Sequence, residues 1–220
     1  VLLIHLGMTG KFFFVNKNNK KLKTSFYYNL GFKDQKHDRL IFYFTDKQKL
    51  IYNDVRKFGF IKFFDFSNSQ EISHLKNLGP EPLEKNFNSK YLREYFFGRN
   101  RTIKDILMDQ KCVSGLGNIY VNEILFLCGI RPTRKTKAIK NSEINNIIKN
   151  TKIILKKSIK LGGSSIKDFS SGDGKKGLFQ QRFRVYGRNN EKCSNIDCNN
   201  IIIRTVISNR ATFICERCQK

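Results

Sequence analysis

Four cysteines near the end of the chain constrain its fold more than any other feature. They form one pair separated by four residues and a second pair separated by two, with 16 residues between the pairs: Cys193, Cys198, Cys215 and Cys218. Two such pairs, brought together by a hairpin, can present four thiolates to one Zn²⁺ ion in tetrahedral geometry. Apolar runs at 201–207 and 211–214 supply the strands of that hairpin. The spacing therefore predicts a zinc ribbon whose metal is structural, because the protein fills all four positions.

The alternative for these four thiols is a pair of disulfides, which need an oxidising compartment. Residues 1–6 (VLLIHL) do not resemble a secretory leader and read as the middle of a strand. We therefore expect zinc, and we expect that an N-terminal segment precedes Val1. The other two cysteines, Cys112 and Cys128, lie singly on helical segments and are predicted to be small buried hydrophobes.

The charge of the chain points to a polyanionic partner. Its 220 residues include 42 Lys and Arg against 18 Asp and Glu, which gives a formal net charge of +24. A chain of this charge repels itself, and nucleic acid is the commonest partner that relieves the repulsion. The alternative is a solvated, lysine-rich surface. No stretch is apolar enough for a membrane span, so we expect no membrane partner.

The hydrophobic pattern changes along the chain. Short strands at near-regular spacing are predicted within residues 1–66, which is typical of a sandwich or barrel. A stiff segment at 78–83 (LGPEPL) contains two prolines and marks a boundary. Helical periodicity follows as far as Gly162, and the next residues, rich in Gly, Ser, Lys and Asp, predict a mobile loop.

Several segments resemble one enzyme family when they are taken in order. They are 5–10 (HLGMTG), 53–59 (NDVRKFG), 78–83, 115–123 (GLGNIYVNE), 162–169 (GGSSIKDF), 185–188 (VYGR) and 210–213 (RATF). Together with the four cysteines, they closely resemble formamidopyrimidine-DNA glycosylases, the bifunctional base-excision repair enzymes for oxidised purines. The resemblance covers nearly the whole chain.

The resemblance implies an α+β multidomain fold. Its parts are an incomplete N-terminal β-sandwich catalytic domain (1–77), a linker (78–86), a helix–two-turn–helix domain (87–161), a lesion-recognition loop (162–180) and the zinc β-ribbon (181–220). The implied partner is double-stranded DNA that contains oxidised bases or abasic sites. We expect a monomer in the bacterial cytoplasm, associated with the nucleoid through its substrate.

The family's functional residues transfer to this sequence position by position. An everted base leaves a hole in the duplex, and Met8, Arg56 and Phe58 match the residues that fill it. Core packing is the alternative for Met8 and Phe58, but the flanking glycines place both on exposed turns. Residues that match DNA contacts are His5, His37, Arg56, Asn100, Arg101, Lys104, Asn118 and Arg210. Arg210 also matches the proton donor of δ-elimination, and Glu123 and Lys175 match positions on the lesion side.

Alternatives remain for some of these positions. Either histidine could be purely structural, and Asn118 could be simply a helix N-cap. Many relatives carry a basic side chain where this chain has Asn100, which puts that contact in doubt.

The family chemistry uses an amine that attacks C1′ of the damaged nucleotide, expels the base and forms a Schiff base. β- and δ-elimination then cut the strand on both sides. The family's nucleophilic proline, the glutamate that follows it and a later lysine match no position between Val1 and Lys220. We therefore expect this chain by itself to lack the glycosylase and lyase activities.

Three other functions stay open on the sequence alone. An endonuclease VIII-like glycosylase would act on oxidised pyrimidines and share the architecture. A non-catalytic damaged-DNA-binding module would keep the charge, the helices and the zinc ribbon. A zinc-ribbon protein of the translation machinery fits the charge, but it does not explain the exposed turns with Met8, Arg56 and Phe58.

Overall fold

The computed structural model describes residues 1–7, 9–17, 21–22, 35–65, 73–164 and 178–220. The chain divides into two compact units, Val1–Ile72 with Lys160–Gln180 and Ser73–Ile159 with Gln181–Lys220. In its described residues the first unit carries six strands, and the second unit combines the helical part with the cysteine-rich end. The finer domain boundaries drawn from the sequence remain predictions.

The six strands of the first unit form two antiparallel sheets. They are β1 (Leu2–His5), β2 (Lys11–Val15), β3 (Lys21–Leu22), β4 (Asp38–Tyr43), β5 (Lys49–Asn53) and β6 (Phe60–Phe63). One sheet has the order β3-β2-β5-β4, and the other consists of β1 and β6. The sequence pattern predicts a hairpin around residues 45–48, and β4 and β5 confirm it, since the Phe44 amide donates to the Gln48 carbonyl at 3.0 Å.

The turn at residues 7–10 joins the two sheets instead of closing a hairpin. The strand before it, β1, pairs with β6, whereas the strand after it, β2, pairs with β5. Strands β2 and β5 bury Phe13, Val15 and Ile51 in a small apolar core. This topology puts the 7–10 turn beside the connection from β5 to β6.

The second unit contains five helices. They are α1 (Ser73–Lys76), α2 (Ser89–Phe96), α3 (Ile103–Leu107), α4 (Asn118–Leu127) and α5 (Asn141–Lys160). The sequence predicts Asn88 or Ser89 as the cap of α2 and Thr102 as the cap of α3. In the structure the first cap is Asn88, whose Oδ1 accepts from the Tyr91 amide, and Thr102 Oγ1 accepts from the Asp105 amide as predicted. Gly129, with φ of +68°, follows α4 and ends it as expected. Among the described residues, none of the helices has the length and apolar character that crossing a bilayer requires.

Helix α4 lies at the centre of the second unit. Val121, Ile124 and Leu125 are fully buried on it. Phe126, on the same helix, belongs to a second apolar cluster with Val185, Ile202, Phe213 and three of the cysteines. Because burying one large aliphatic or aromatic side chain contributes about 1.5–3 kcal/mol, this shared helix binds the cysteine-rich end firmly to the helical part.

Candidate nucleic-acid interface

The cysteine-rich end forms the hairpin that the sequence predicts. Strands β7 (Ile203–Ile207) and β8 (Arg210–Ile214) pair antiparallel, and Ile207 lies opposite Arg210. Ser208 and Asn209 between them both have positive φ, 49° and 57°. Two such residues in a row are the signature of a tight two-residue hairpin turn. Arg210 therefore lies exposed at the tip of the hairpin.

The four cysteines of this end lie together. Their Sγ atoms are all within 4.8 Å of one another, with 3.8 Å between Cys193 and Cys218 and 3.6 Å between Cys198 and Cys215. A tetrahedral zinc ion with Zn–S bonds of about 2.3 Å separates its thiolates by about 3.8 Å. All four thiols are free of disulfides. The donor set fits one structural Zn²⁺, which would hold the base of the hairpin in place.

Side chains of the helical part fix β8 along its length. Asn118 Nδ2 donates to the Ala211 carbonyl at 2.9 Å, and Asn122 Oδ1 accepts from the Phe213 amide at 2.8 Å. Between them, Lys104 Nζ donates to Thr212 Oγ1. These three bonds are made to three consecutive residues of the strand. They hold the hairpin against the start of α4, so Arg210 projects from a rigid support.

Arg210 shares an open cleft with α3 and the residues on either side of it. The cleft is lined by Arg101, Asp105, Met108, Asp109, Ser208 and Arg210. Arg101 is paired with Asp109 at 2.5 Å. Burial raises the pKa of Asp109, but the hydrogen bonds from Arg101 and the Lys111 amide outweigh it, so the pKa is lowered and the carboxylate stays charged. The Arg101 guanidinium is thus partly neutralised by Asp109, whereas that of Arg210 is exposed at the hairpin tip and suited to bind phosphate.

In the first unit, a buried carboxylate organises the turn after β5. Asp54 accepts hydrogen bonds from Thr9 Oγ1 at 2.5 Å, Tyr52 Oη at 3.1 Å, the Gly59 amide at 3.0 Å and the Arg56 amide at 3.2 Å. Burial raises the pKa of Asp54, but these four hydrogen bonds together lower it by more, so the pKa lies below its ordinary value. Burial, followed by the neighbouring charge of Asp54, raises the pKa of Tyr52 to about 12. Asp54 is therefore a charged group inside the unit.

Two predicted void-filling residues are exposed on this turn. Phe58 has 56% of its surface accessible, and the Arg56 guanidinium stacks over its ring at 4.8 Å. Gly7 has φ of +61°, and a Cβ there would lie 2.7 Å from the Phe58 carbonyl carbon. The 7–10 turn and the 56–59 turn are thus in backbone contact, which only glycine allows at this point. Met8 lies outside the described residues.

Comparisons with known proteins agree with this geometry. Residues 1–61 match the family model of the formamidopyrimidine-DNA glycosylase N-terminal domain, and residues 78–170 match that of its H2TH domain. The formamidopyrimidine-DNA glycosylase of Rickettsia canadensis (strain McKiel) is 40% identical over 218 residues, which cover 99% of this chain and 74% of the relative. The chain belongs to the formamidopyrimidine-DNA glycosylase family.

Solved structures of the family share the fold. A mutant Lactococcus lactis FPG in complex with Fapy-dG containing DNA has a TM-score of 0.80 and 36% sequence identity, and the match covers 100% of this chain and 74% of that one. The Lactococcus lactis Fpg in complex with DNA containing an abasic site gives the same TM-score, identity and coverage. The expected α+β architecture is confirmed.

The two histidines expected to contact DNA have different surroundings. His5 is exposed, its ring stacks on Phe60 at 5.3 Å, and its Nδ1 accepts from the Gly7 amide at 3.1 Å. In the neutral ring this acceptor assigns the proton to Nε2, the nitrogen that can donate to a phosphate. His37 is half-buried, and its carbonyl accepts from the Asp54 amide at 3.0 Å. His37 thus supports the 54–59 turn, and its DNA contact remains a prediction.

Lys104 and Glu123 are buried, which the sequence does not predict. Lys104 is fully buried, and burial lowers the pKa of its ammonium to about 8, with Arg210 lowering it further and Asp105 opposing the shift. The described hydrogen bonds of its ammonium are with β8. The Glu123 carboxylate, also buried, accepts from the backbone amides of Arg184, Val185 and Tyr186 at 2.8–3.0 Å. Both are anchoring residues in the structure, and their DNA-contact and lesion-side roles remain predictions.

The remaining predicted residues have varied surroundings. The N-cap interpretation of Asn118 is wrong: Gly117 is the N-cap of α4, and Asn118 is the first helical residue. Asn100 and Arg101 are exposed before α3. Lys175 lies outside the described residues.

The single cysteines follow the sequence prediction only in part. Cys112 is fully buried as predicted, and burial raises the pKa of its thiol to about 12. Cys128 is only partly buried, and its Sγ lies 3.4 Å from Asn150 Nδ2.

Two organising residues escape sequence reasoning altogether. Asp54 occurs inside the NDVRKFG segment, where only the arginine and phenylalanine attract attention. Asn122 lies four residues after Asn118, a spacing that puts both on one face of α4. That spacing is a weak signal, since it does not identify β8 as the partner of the face.

Proposed function

We propose that this chain acts in base-excision repair, as part of a bifunctional DNA glycosylase and AP lyase that removes oxidised purines. Family membership over almost the full chain is the observation that carries the proposal. The chain spans about three quarters of the relative's length, which includes both matched domains. The substrate is double-stranded DNA with an oxidised purine or an abasic site. Within this proposal, the protein acts in the bacterial cytoplasm and associates with the nucleoid through its DNA substrate.

The second unit supplies the phosphate contacts in this proposal. Arg210 and Arg101 line one cleft, and the three bonds from Lys104, Asn118 and Asn122 keep β8 in place beneath it. Phosphate contacts position a protein on the duplex without reading its sequence. A guanidinium on a rigid hairpin suits this role because little side-chain freedom is lost on binding.

The first unit supplies the groups that enter the duplex. Phe58 is an apolar wedge of the kind that separates stacked bases, and Arg56 beside it can donate hydrogen bonds to an unpaired base. Their exposure in a turn held by buried hydrogen bonds supports insertion over core packing. The translation-machinery alternative gives no role to such a turn.

Borohydride trapping tests the enzymatic function. The protein as expressed from its gene is incubated with a duplex containing 8-oxoguanine, and borohydride reduces any Schiff base to a permanent crosslink. From the protein as expressed from its gene we expect a covalent adduct and strand cleavage with both β- and δ-elimination products. Residues 1–220 alone should only bind the duplex, because no position in them matches the family's nucleophilic proline. Specific binding without an adduct would indicate the non-catalytic module, and faster release of thymine glycol than of 8-oxoguanine would indicate the endonuclease VIII alternative.

Replacing Arg210 by alanine tests the phosphate contact. We expect Arg210→Ala to weaken binding to an abasic-site duplex about tenfold, because one charge-assisted contact is lost. The slope of log affinity against log salt should fall by about one. Fluorescence anisotropy at several salt concentrations measures both quantities.

The matched control is Arg217→Ala. Arg217 is exposed on the same ribbon, between Cys215 and Cys218 and therefore at the opposite end of the hairpin from Arg210. The control removes the same charge and should change affinity less than threefold. Equal losses for both variants would show that only net charge matters and would contradict a specific role for Arg210.

A further inference from the structure

The buried Asp54 carboxylate has an unusual set of partners. Among the described residues, the four groups that donate to it are all neutral: two hydroxyls, on Thr9 and Tyr52, and two backbone amides, on Arg56 and Gly59. A buried charge costs free energy unless hydrogen bonds satisfy it, so these donors are needed to keep it there. Because they hold the pKa of Asp54 below its ordinary value, the carboxylate is charged at neutral pH.

The two carboxylate oxygens divide these donors in a regular way. Oδ1 accepts from Thr9 Oγ1 in the 7–10 turn and from the amide of Arg56, and Oδ2 accepts from Tyr52 Oη and the amide of Gly59. The Arg56 amide is shared, since it also donates to Thr9 Oγ1 at 3.1 Å. One carboxylate therefore joins the 7–10 turn to both ends of the 56–59 turn.

The main chain of Asp54 is anchored as well. Its amide donates to the His37 carbonyl at 3.0 Å, and its own carbonyl accepts from Arg39 Nε at 2.9 Å. Lys57, at the middle of the turn, has φ of +57°, a conformation that residues other than glycine rarely adopt. Such a backbone persists only where the surroundings determine it. The bonds to Asp54 on either side of Lys57 are among the described contacts that do so.

We propose that Asp54 is a positioning residue for damage recognition, which fixes Arg56 and Phe58 in the conformation that enters the duplex. This inference rests on the proposed function. Asp54 is buried, with 1% of its surface accessible, so it acts through the residues that it holds. Inserting side chains from a loose turn costs conformational entropy at binding, whereas a turn ordered beforehand avoids that cost. Discrimination of damaged from intact DNA should therefore depend on Asp54.

The variant Asp54→Asn tests this inference with almost no change of shape. An amide keeps one acceptor oxygen but turns the other position into a donor, which opposes a backbone amide that can only donate. We expect binding to an abasic-site duplex to weaken at least tenfold. Binding to the intact duplex, which depends on phosphate contacts, should change less than twofold. The readout is the ratio of the two affinities, which general loss of folded protein would not alter.

Controls and milder variants complete the design. Asp46→Asn removes the same charge from the same unit, in the exposed turn between β4 and β5 where Asp46 accepts from the Gln48 amide, and should leave the ratio unchanged. Thr9→Val removes one hydroxyl donor, and Thr9→Ser restores it. If Asp54→Asn fails to fold, the threonine pair still tests the inference: valine should lower the ratio severalfold, and serine should recover it.

The outcomes separate this inference from the proposed function. If the unmodified protein shows no preference for the abasic-site duplex, the proposed function fails and the inference fails with it. If the preference exists but Asp54→Asn and Thr9→Val keep the full ratio, only the positioning role is overturned. A reduced ratio in both variants, with recovery by serine, supports both.

Discussion

Removal of the metal is expected to abolish binding to damaged duplex DNA, with a loss of affinity of at least a hundredfold. At the base of the ribbon, the sulfur atoms of the four cysteines lie within 4.8 Å of one another. Without a cation these buried thiols have no common partner, and structural zinc contributes about 10–16 kcal/mol of binding free energy that serves as folding free energy. Loss of the ribbon also releases the three contacts that hold β8 against the helical part.

The experiment combines a variant with chelation. Cys215→Ala removes a fully buried ligand, and Cys128→Ala is its control, because Cys128 is a cysteine outside the cluster. We expect about one zinc per chain in the parent and in the control, and almost none in Cys215→Ala. Metal analysis, thermal unfolding by circular dichroism and anisotropy with an abasic-site duplex measure the three effects. Unchanged DNA binding after complete metal removal would contradict a structural role for zinc.

Truncation of Glu123 is expected to be the most destabilising single change outside the metal site. Glu123→Ala leaves the buried amide of Val185 and the partly buried amides of Arg184 and Tyr186 without their acceptor. An unsatisfied buried donor costs about 1–3 kcal/mol, and the two partly buried amides cost less because water reaches them, so the free energy of unfolding should fall by roughly 2–5 kcal/mol. The segment lies directly before the ribbon, and its release should also weaken zinc retention.

Urea denaturation of the zinc-loaded protein measures this effect. Glu216→Ala is the matched control, since Glu216 is exposed and its described ion pair is with Arg131 at 2.9 Å. An exposed pair of this kind contributes at most about 1 kcal/mol. A loss for Glu123→Ala no larger than that of the control would show that the three amides find other acceptors, and the anchoring role would then be rejected.

Features that depend on neighbouring residues are predictable from the sequence. The caps Asn88 and Thr102, the stop at Gly129 and the β4–β5 hairpin all follow from local propensities, because each involves residues only a few positions apart. The cysteine spacing is also a local feature, because each pair lies within one short loop and the two loops can bind one metal ion together. The family motifs add the site candidates Arg56, Phe58 and Arg210 to what can be predicted from the sequence.

Features that depend on distant partners are not predictable in this way. Lys104 and Glu123 look like surface charges in the sequence, but both are buried. Their partners lie 108 residues away for Lys104 and Thr212, and 61 to 63 residues away for Glu123 and the 184–186 segment. No pattern among neighbouring residues predicts a contact over such a distance in the sequence. The same holds for β1, which pairs with β6 and not with the strand that follows it.

The amino-acid sequence by itself determined the family, the zinc ligands, the succession of a strand-rich, a helical and a cysteine-rich part, and the residue types available for contact with DNA. Only the tertiary structure decided that Asp54 joins two exposed turns, that Asn122 and Lys104 hold β8, and that Glu123 anchors the segment before the ribbon. The reason is physical. Local preferences act over a few residues, whereas the burial of a charged group requires donors or acceptors from chain segments that only folding brings together.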